Sequence, residues 1–173
     1  MFETKINGKA WAGGDDINTY AIIPQRHWDL DNLDPVELGK WAMEEADPDF
    51  TGKPGALASS GYSIIVAGEN FGGGGKSIEH PIIALKGAGI KLVLADSFGR
   101  FNFRNSVNNA LPVVECKGIS KLVQKGDELT ADLSEGYVLN HRTGQKADLV
   151  PFSQYMLDIM EAGGLIEYTK QRL

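Results

Sequence analysis

The middle of the chain alternates apolar strands with helices, and this pattern constrains the fold more than any other feature of the sequence. Three apolar runs predict strands, and the two segments between them predict helices. Strand, helix, strand, helix, strand at this spacing implies right-handed crossovers and a parallel sheet. The predicted strands are residues 62–67, 91–95 and 112–115, and the helices are residues 79–87 and, after Ser97 as N-cap, about 98–109.

Both flanks carry further elements. Residues 34–37 read Asp-Pro-Val-Glu, which predicts a helix with an aspartate N-cap that ends before residues 47–48. After the parallel core, residues 137–141 and 145–150 predict a β-hairpin, and residues 153–162 predict a helix closed by two glycines. The expected fold class is therefore α/β, with a parallel βαβαβ core and added β-strands in one domain spanning the whole chain.

Composition narrows the range of partners and locations. The 173 residues are 42% hydrophobic and 23% charged, as in ordinary globular domains. A net charge of -6, with 17 scattered Lys and Arg, leaves no basic footprint for nucleic acid. No segment approaches the roughly 20 apolar residues of a membrane span, and the first residues lack the apolar region of a signal peptide. We expect a cytoplasmic protein without a nucleic-acid or membrane partner.

The cysteine content limits metal chemistry. Cys116 is the single cysteine, so the chain forms no internal disulfide. Iron–sulfur and Cys-rich zinc sites need several thiolates, which one cysteine does not supply. We therefore expect this chain to bind no cluster itself, and Cys116 to be an inert buried thiol.

The loop after the first predicted strand is rich in glycine. Residues 68–81 read GENFGGGGKSIEHP, which looks like a phosphate-binding loop. The P-loop pattern requires glycine where Asn70 stands, and the dinucleotide pattern requires glycine where Ser77 stands. What remains is a loop of exposed amides that leads into a helix N-terminus, at the sheet edge where α/β proteins bind ligands. The loop from Gly72 to Ser77 therefore predicts an anion cradle.

Several motifs together carry a resemblance to a known family. The chain offers NFG at residues 70–72, EH at 79–80, SFGRFNFRN at 97–105 and LP at 111–112, with GDDINT followed by IIP near the start. The run is similar to the family patterns NFGCGSSREHA, SFARIFYRN and LPL. The chain thus resembles the small subunit of isopropylmalate isomerase and, more broadly, the swivelling domain of the aconitase family.

This resemblance implies a reaction and a partner. Family enzymes move water on and off hydroxy-dicarboxylic acids, as in leucine biosynthesis, and a separate large subunit holds a [4Fe-4S] cluster. The small subunit closes over the substrate and contributes a serine base and an arginine that pairs with a carboxylate. The resemblance therefore implies a hydro-lyase or isomerase component that requires its large subunit.

The chain departs from the family in the glycine loop. The family's Ser-Ser-Arg becomes Lys76-Ser77-Ile78, after one extra residue in the glycine run. Either Ser77 is the base and Lys76 replaces the arginine charge, or Lys76 is itself the base. Ile78 favours a substrate with an apolar group or one fewer anionic contact, so a methyl-substituted malate stands beside isopropylmalate as a candidate substrate.

Residues outside the altered segment Lys76-Ser77-Ile78 complete the predicted site. His27 and Trp28 occupy the family's substrate-recognition segment, although core or interface roles fit them equally well. Arg100 and Arg104 lie one turn apart, which is typical of a solvated or capping helix face. A non-catalytic anion-binding or partner-binding scaffold is the main alternative function, and an independent phosphate-binding domain is a weaker one. The predicted substrate-binding residues are Gly73, Gly74, Gly75, Lys76, Ile78, His27 and Trp28.

Overall fold

A mixed sheet of seven strands forms the centre of the protein. The computed structural model describes residues 2–28 and 33–173. Along the sheet the strand order is β4-β3-β2-β1-β5-β6-β7. The strands are β1 Lys5–Ala12, β2 Tyr62–Ala67, β3 Leu92–Ala95, β4 Val113–Glu115, β5 Glu128–Asp132, β6 Tyr137–Asn140 and β7 Lys146–Asp148.

The sheet is parallel on one side of β1 and antiparallel on the other. β1 to β4 run parallel to one another, with α-helices in the β2–β3 and β3–β4 connections. The remaining three strands pair antiparallel, starting with β5 against β1. The predicted βαβαβ core with added β-strands is thus confirmed, whereas β1, the strand that joins the two halves, was not predicted.

The helices flank this sheet. The predicted helices after β2 and β3 are confirmed as α4 and α5, and the predicted C-terminal helix is confirmed as α7. No helix in residues 2–28 or 33–173 is both long and apolar enough to cross a membrane. The helices are α1 Thr19–Ile22, α2 Pro35–Gly39, α3 Ala56–Ser59, α4 His80–Gly87, α5 Arg100–Asn108, α6 Ile119–Leu122, α7 Gln154–Ala162 and α8 Leu165–Lys170, with a 3-10 turn at Gln25–His27.

Two hydrophobic clusters sandwich the sheet because successive strand residues face opposite sides. Ile65 and Val93 belong to the cluster beneath α1, α2 and α4. Their neighbours Ile64 and Leu92 belong to the cluster on the opposite face, which includes buried Cys116. This double burial explains why β2 and β3 are continuous apolar runs rather than alternating ones.

The helix predicted to run from residue 34 to residue 46 is shorter. Its start is confirmed, since the Asp34 side chain accepts a hydrogen bond from the Val36 amide. The predicted end is wrong: α2 stops at Gly39, and turns follow. Met43 has φ of 62°, and its amide donates to the Ile22 carbonyl at 2.6 Å. Tertiary hydrogen bonding to α1 therefore replaces the helical pattern there.

The predicted N-cap of α5 is also wrong. Gly99, not Ser97, occupies the N-cap position, and it offers no side chain to the first turn. The Ser97 hydroxyl instead accepts a hydrogen bond from the Asn70 amide at 2.8 Å. The first turn of α5 is consequently left without a side-chain cap.

The C-terminal part largely follows the prediction. The hairpin is confirmed as β6 and β7, each shorter than expected. Ser153 caps α7 by accepting from the Met156 amide at 3.3 Å, and Gly163 ends the helix in a left-handed conformation. A further short helix, α8, follows and was not predicted.

Candidate active site

The loops that follow β1, β2 and β3 meet at the carboxyl edge of the parallel strands. The Asp16 amide donates to the Glu69 carbonyl at 2.9 Å, and the Gly72 amide donates to the Ile17 carbonyl at 2.7 Å. These bonds tie the glycine loop to the segment after β1. The side chains of Asp15, Asp16 and Ser97 add further hydrogen bonds to Glu69 and Asn70, so the start of the loop is held by both backbone and side-chain contacts.

The same loop pairs with the segment that precedes α5. Phe71 forms an isolated parallel bridge with Phe98, and its backbone bonds to Ser97 and Gly99. A Cβ added to Gly99 would lie 2.6 Å from the Gly73 Cα, closer than side chains come to backbone. Glycine is required at this contact, and it brings the start of α5 against the loop.

A cavity of about 240 Å³ lies between the loop and α5. Its walls are residues 72–78 of the loop, residues 99–102 at the start of α5, and the side chains of Thr19, Asn70 and Asn105. The structure thus brings the predicted residues Gly73, Gly74, Gly75, Lys76, Ser77 and Ile78 to one cavity.

Four successive backbone amides in this wall are free. The N–H groups of Gly74, Gly75, Lys76 and Ser77 donate to no acceptor within residues 2–28 and 33–173. The Thr19 hydroxyl holds the loop by donating to the Gly74 carbonyl at 3.2 Å. Free amides in a row favour an anion, as the sequence predicted.

The charges of the cavity wall reinforce this preference. Among the described residues, Lys76 and Arg100 are the charged ones in the wall, and none of the described Asp or Glu residues lines it. Neither cation forms an ion pair with a carboxylate of the described residues. In a protein with a net charge of -6, two unpaired cations around one cavity make it a local positive site.

Trp28 reaches the rim of this site. Its ring lies under the Lys76 ammonium, with Nζ 5.7 Å from the ring centroid. The indole Nε1 donates to the Ile23 carbonyl at 3.0 Å, and the ring stacks on Tyr20 with centroids 5.3 Å apart. Trp28 is therefore fixed in place and adjacent to the predicted loop residues.

His27 points into a different cluster and is not among the residues that line the cavity. Its Nε2 lies 2.8 Å from a carboxylate oxygen of buried Glu44, and its ring stacks on Trp41 at 4.0 Å. Burial acts to raise the pKa of Glu44, but hydrogen bonds from the Gly52 amide, His27 and Arg26 outweigh it and lower that pKa. A substrate contact by His27 stays a prediction that this geometry does not favour.

Ser77 and Ile78 differ in how they are held. The Ser77 side chain is exposed and makes no hydrogen bond to any residue that the structure describes. The Ile78 carbonyl accepts from the Asn105 side chain at 3.1 Å, which anchors the end of the loop to α5. The loop therefore presents both candidate bases, Lys76 and Ser77, between two anchored ends.

Comparison with known proteins assigns the family. Residues 27–118 match the model of the aconitase C-terminal domain family, more than half of the chain. The chain belongs to the aconitase family. The cavity lies within the matched residues apart from Thr19, so the family domain carries the site.

The chain matches small subunits of isomerases and dehydratases over nearly its whole length. The chain is 44% identical to the isopropylmalate/citramalate isomerase small subunit of Methanocaldococcus jannaschii, covering 97% of this chain and 95% of that protein. It is 46% identical to 3-isopropylmalate dehydratase small subunit 1 of Methanopyrus kandleri, covering 96% and 93%. A crystal structure of 3-isopropylmalate dehydratase from Methanocaldococcus jannaschii superimposes with a TM-score of 0.82 at 35% identity, over 97% of this chain and 95% of that chain. The resemblance read from the motifs is confirmed.

A more distant member of the aconitase family shares the fold alone. The holo-form of aconitase X from Thermococcus kodakaraensis superimposes with a TM-score of 0.51 at 15% identity, covering 84% of this chain and 90% of that chain. The α/β fold predicted from the sequence is confirmed by these comparisons.

Metal ligands are scarce on this member of the aconitase family. The described residues contain no group of three or more His, Cys, Asp or Glu that could hold a metal ion. Burial, with the negative charges of Asp96 and Asp148, raises the pKa of the Cys116 thiol to about 11. Cys116 lies on the sheet face away from α1, α2 and α4, and a buried thiol that stays protonated does not fit the role of a cluster ligand.

Sequence reasoning missed the part of the candidate site that lies at the start of α5. Arg100 was interpreted as part of a solvated or capping face, but it lines the cavity, and so does Asn102. The signal was present in the first turn of α5, where a basic residue stands at the positive end of a helix that has no acidic residue there.

Proposed function

We propose that the protein is the small subunit of a two-subunit iron–sulfur hydro-lyase or isomerase that acts on a substituted malate. The observation that carries this proposal is the positive cavity at the glycine loop, in a chain that aligns over nearly its whole length with small subunits of 3-isopropylmalate dehydratases. In this proposal the loop closes over the substrate when the large subunit docks.

Substrate binding follows from the charge of the cavity. A malate derivative carries two carboxylates, and the free amides from Gly74 to Ser77 can donate hydrogen bonds to one of them. The Lys76 ammonium adds a positive charge at the rim. Ile78 places an apolar side chain at the same wall, which favours a methyl or isopropyl substituent over a third carboxylate.

The chemistry assigned to this chain is a proton transfer. A base removes the proton from the carbon next to a carboxylate, the electron pair of that C–H bond forms a carbon–carbon double bond, and the C–O bond of the neighbouring carbon breaks. The departing hydroxyl takes up a proton from solvent and leaves as water, and the base later returns its own proton to solvent. We assign the base to Ser77 and the charge to Lys76. The Trp28 ring face attracts a cation, so its contact with Lys76 suits the charge-carrying role assigned to that residue.

To act as a base, Ser77 must react as its alkoxide, and its surroundings favour that negative charge. The Lys76 ammonium and the free amides of the loop are the donors that stabilise a developing oxyanion. A [4Fe-4S] cluster on the large subunit would supply the Lewis acid for the departing hydroxyl. The residues of this chain bind and orient the substrate and move the proton.

Reconstitution tests the proposal. The chain is co-expressed with its large subunit, and the complex is assayed for dehydration of 3-isopropylmalate, 2,3-dimethylmalate and citrate. We expect co-purification and turnover of an alkyl-substituted malate, and no turnover by this chain alone. Turnover without a second subunit would contradict the proposal. A retained partner with no turnover of any of the three acids would favour the non-catalytic scaffold instead.

A further inference from the structure

The floor of the cavity contains a buried polar side chain without a partner. Asn102 is only 5% exposed, and its Oδ1 is enclosed without a hydrogen-bond donor in the described part of the chain. Its Nδ2 makes no hydrogen bond there either, since the Ser106 hydroxyl donates to the backbone carbonyl of Asn102 and not to its carboxamide. A buried carboxamide without partners costs folding free energy, so its presence in a cavity wall points to a ligand.

The backbone amides in the first turn of α5, which carries Asn102, also lack hydrogen-bond acceptors among the described residues. α5 has nine residues, and the amides of Arg100, Phe101 and Asn102 find no acceptor within the described residues. Gly99 provides no capping side chain, and no acidic residue stands in the first turn. Arg100 adds a positive charge at the positive end of the helix dipole, which is unfavourable without an anion.

Close packing aims this turn at the loop. A Cβ on Gly72 would stand 2.1 Å from Cγ of Asn102, so only the absence of a side chain at Gly72 leaves room for the carboxamide. Asn102 and Arg100 line the cavity together with Lys76 on the opposite wall. The helix start and the free amides of the loop therefore face the same space.

We infer that the start of α5 is a hydroxycarboxylate subsite, in which Arg100 and the first-turn amides bind the carboxylate and Asn102 binds the hydroxyl. A carboxamide offers an acceptor oxygen and a donor nitrogen, which match the O–H and the C–O oxygen of the hydroxyl group of a hydroxycarboxylate. The planar guanidinium of Arg100 binds both oxygens of a carboxylate, which the ammonium of Lys76 cannot do. This inference rests on the proposed function and names the residues that bind the hydroxyl and carboxylate groups of the substrate.

The Arg100 part is tested with a matched variant on the same helix. Arg104 is exposed one turn further along α5 and does not line the cavity. In the reconstituted complex, Arg100→Met should raise KM by about 10- to 100-fold with kcat changed by less than about threefold, the loss of one charged hydrogen-bonded contact. Arg104→Met should leave both constants within about twofold. Equal effects of the two variants would overturn the assignment.

The Asn102 part is tested with two probes that differ by one hydroxyl. Binding of malate and of succinate to the complex is measured by calorimetry, which needs no turnover. Asn102→Ala should weaken malate binding by about five- to tenfold more than succinate binding, because only malate has a hydroxyl for Oδ1. An equal change for both acids would overturn the role of Asn102.

A second variant keeps the test decisive if the alanine variant fails to fold. Asn102→Asp keeps the size of the side chain but places a negative charge beside the bound carboxylate, so it should weaken both acids by more than about tenfold. Undiminished binding to the aspartate variant would contradict the subsite. A wild-type complex that binds malate but turns over no substituted malate would instead refute the proposed function and leave the subsite standing.

Discussion

The ammonium of Lys76 lies over the indole ring of Trp28, with Nζ 5.7 Å from the ring centroid. This contact joins the glycine loop to the segment after α1, where Trp28 is fixed by its bond to the Ile23 carbonyl. An exposed lysine at the tip of a glycine loop would otherwise sample many rotamers. The ring restricts Lys76 to the rim of the cavity, which is where a substrate charge would be needed.

Replacing Lys76 should affect substrate binding more than turnover. We expect Lys76→Ala to raise KM of the reconstituted complex about 10-fold or more with a smaller change in kcat, because it removes one charge from the rim. Lys76→Arg should keep part of the affinity, since either cation can face a carboxylate. Steady-state kinetics on the preferred substituted malate measure both. A Lys76→Arg complex with normal KM and almost no kcat would instead identify Lys76 as the base.

The contact between Lys76 and Trp28 should be measurable as a coupling energy. Trp28→Leu, Lys76→Met and the double variant form a cycle on substrate affinity. The expected coupling is about 0.5–1 kcal/mol, the usual size for a cation over an aromatic ring at an exposed site. Additive effects of the two single variants would show that Trp28 does not position Lys76.

A side chain at Gly75 should damage the loop specifically. Gly75 has φ of 77°, and an added Cβ would lie 2.2 Å from the Thr19 hydroxyl oxygen. Gly89 has a similar φ of 88° with open space around it, so Gly89→Ala is a control for backbone strain alone. Both variants should lose about 1 kcal/mol of stability. Gly75→Ala should in addition lower kcat/KM at least about 10-fold, whereas equal kinetics in the two variants would contradict a geometric role for the loop.

An acid-sensitive ion pair lies far from the cavity, in the β5–β7 half. Hydrogen bonds from Arg142 lower the pKa of Asp127 from 3.8 to about 2. Burial of the carboxylate opposes this shift, whereas hydrogen bonds from the Gln124 amide and the Asn140 side chain add to it. Because the folded-state pKa is the lower one, this stabilisation is complete above about pH 4 and is lost as the pH falls towards 2. This stabilisation of the folded state is on the order of 1–2 kcal/mol, because solvent around the half-exposed Arg142 side chain weakens the attraction.

Asp127→Asn isolates this contribution from those of other carboxylates. Urea unfolding at pH 6 and at pH 2.5 should show a larger difference between the wild type and the variant at pH 6. A constant difference at both pH values would mean that the ion pair contributes no pH-dependent stability.

The parallel core was predictable because its signals are local. Residues 62–67 form a strand with the bounds expected, since a short segment centred on three β-branched residues, Ile64 to Val66, and flanked by Gly61 and Gly68 has few alternatives. β1 was missed because its sequence, KINGKAWA, mixes lysines, Asn7 and Gly8 with apolar residues, and its register shifts between Lys9 and Ala10. Such a strand is specified by its partners on both sides, which lie far away in the sequence.

The part of the candidate site that lies within one loop could also be predicted from the sequence. The glycines and Lys76-Ser77 stand in sequence order, so their cavity could be anticipated from the loop alone. The close packing of Asn102 depends on Gly72, thirty residues earlier, and the hydrogen bond of His27 depends on Glu44. Neither relationship has a periodic or spacing signal, because both are created by the way distant loops pack.

Solvent exchange measures the central claim that the loop supplies the proton-transferring group. The reconstituted complex is incubated with substrate in D2O, and deuterium incorporation at the carbon next to the carboxylate is followed by NMR. We predict that wild type exchanges readily, that Ser77→Ala loses about 10²- to 10⁴-fold of this rate, and that Lys76→Ala at saturating substrate keeps most of it. Near-normal exchange in Ser77→Ala would contradict the assignment, and near-normal exchange in both variants would remove the loop from the chemical step.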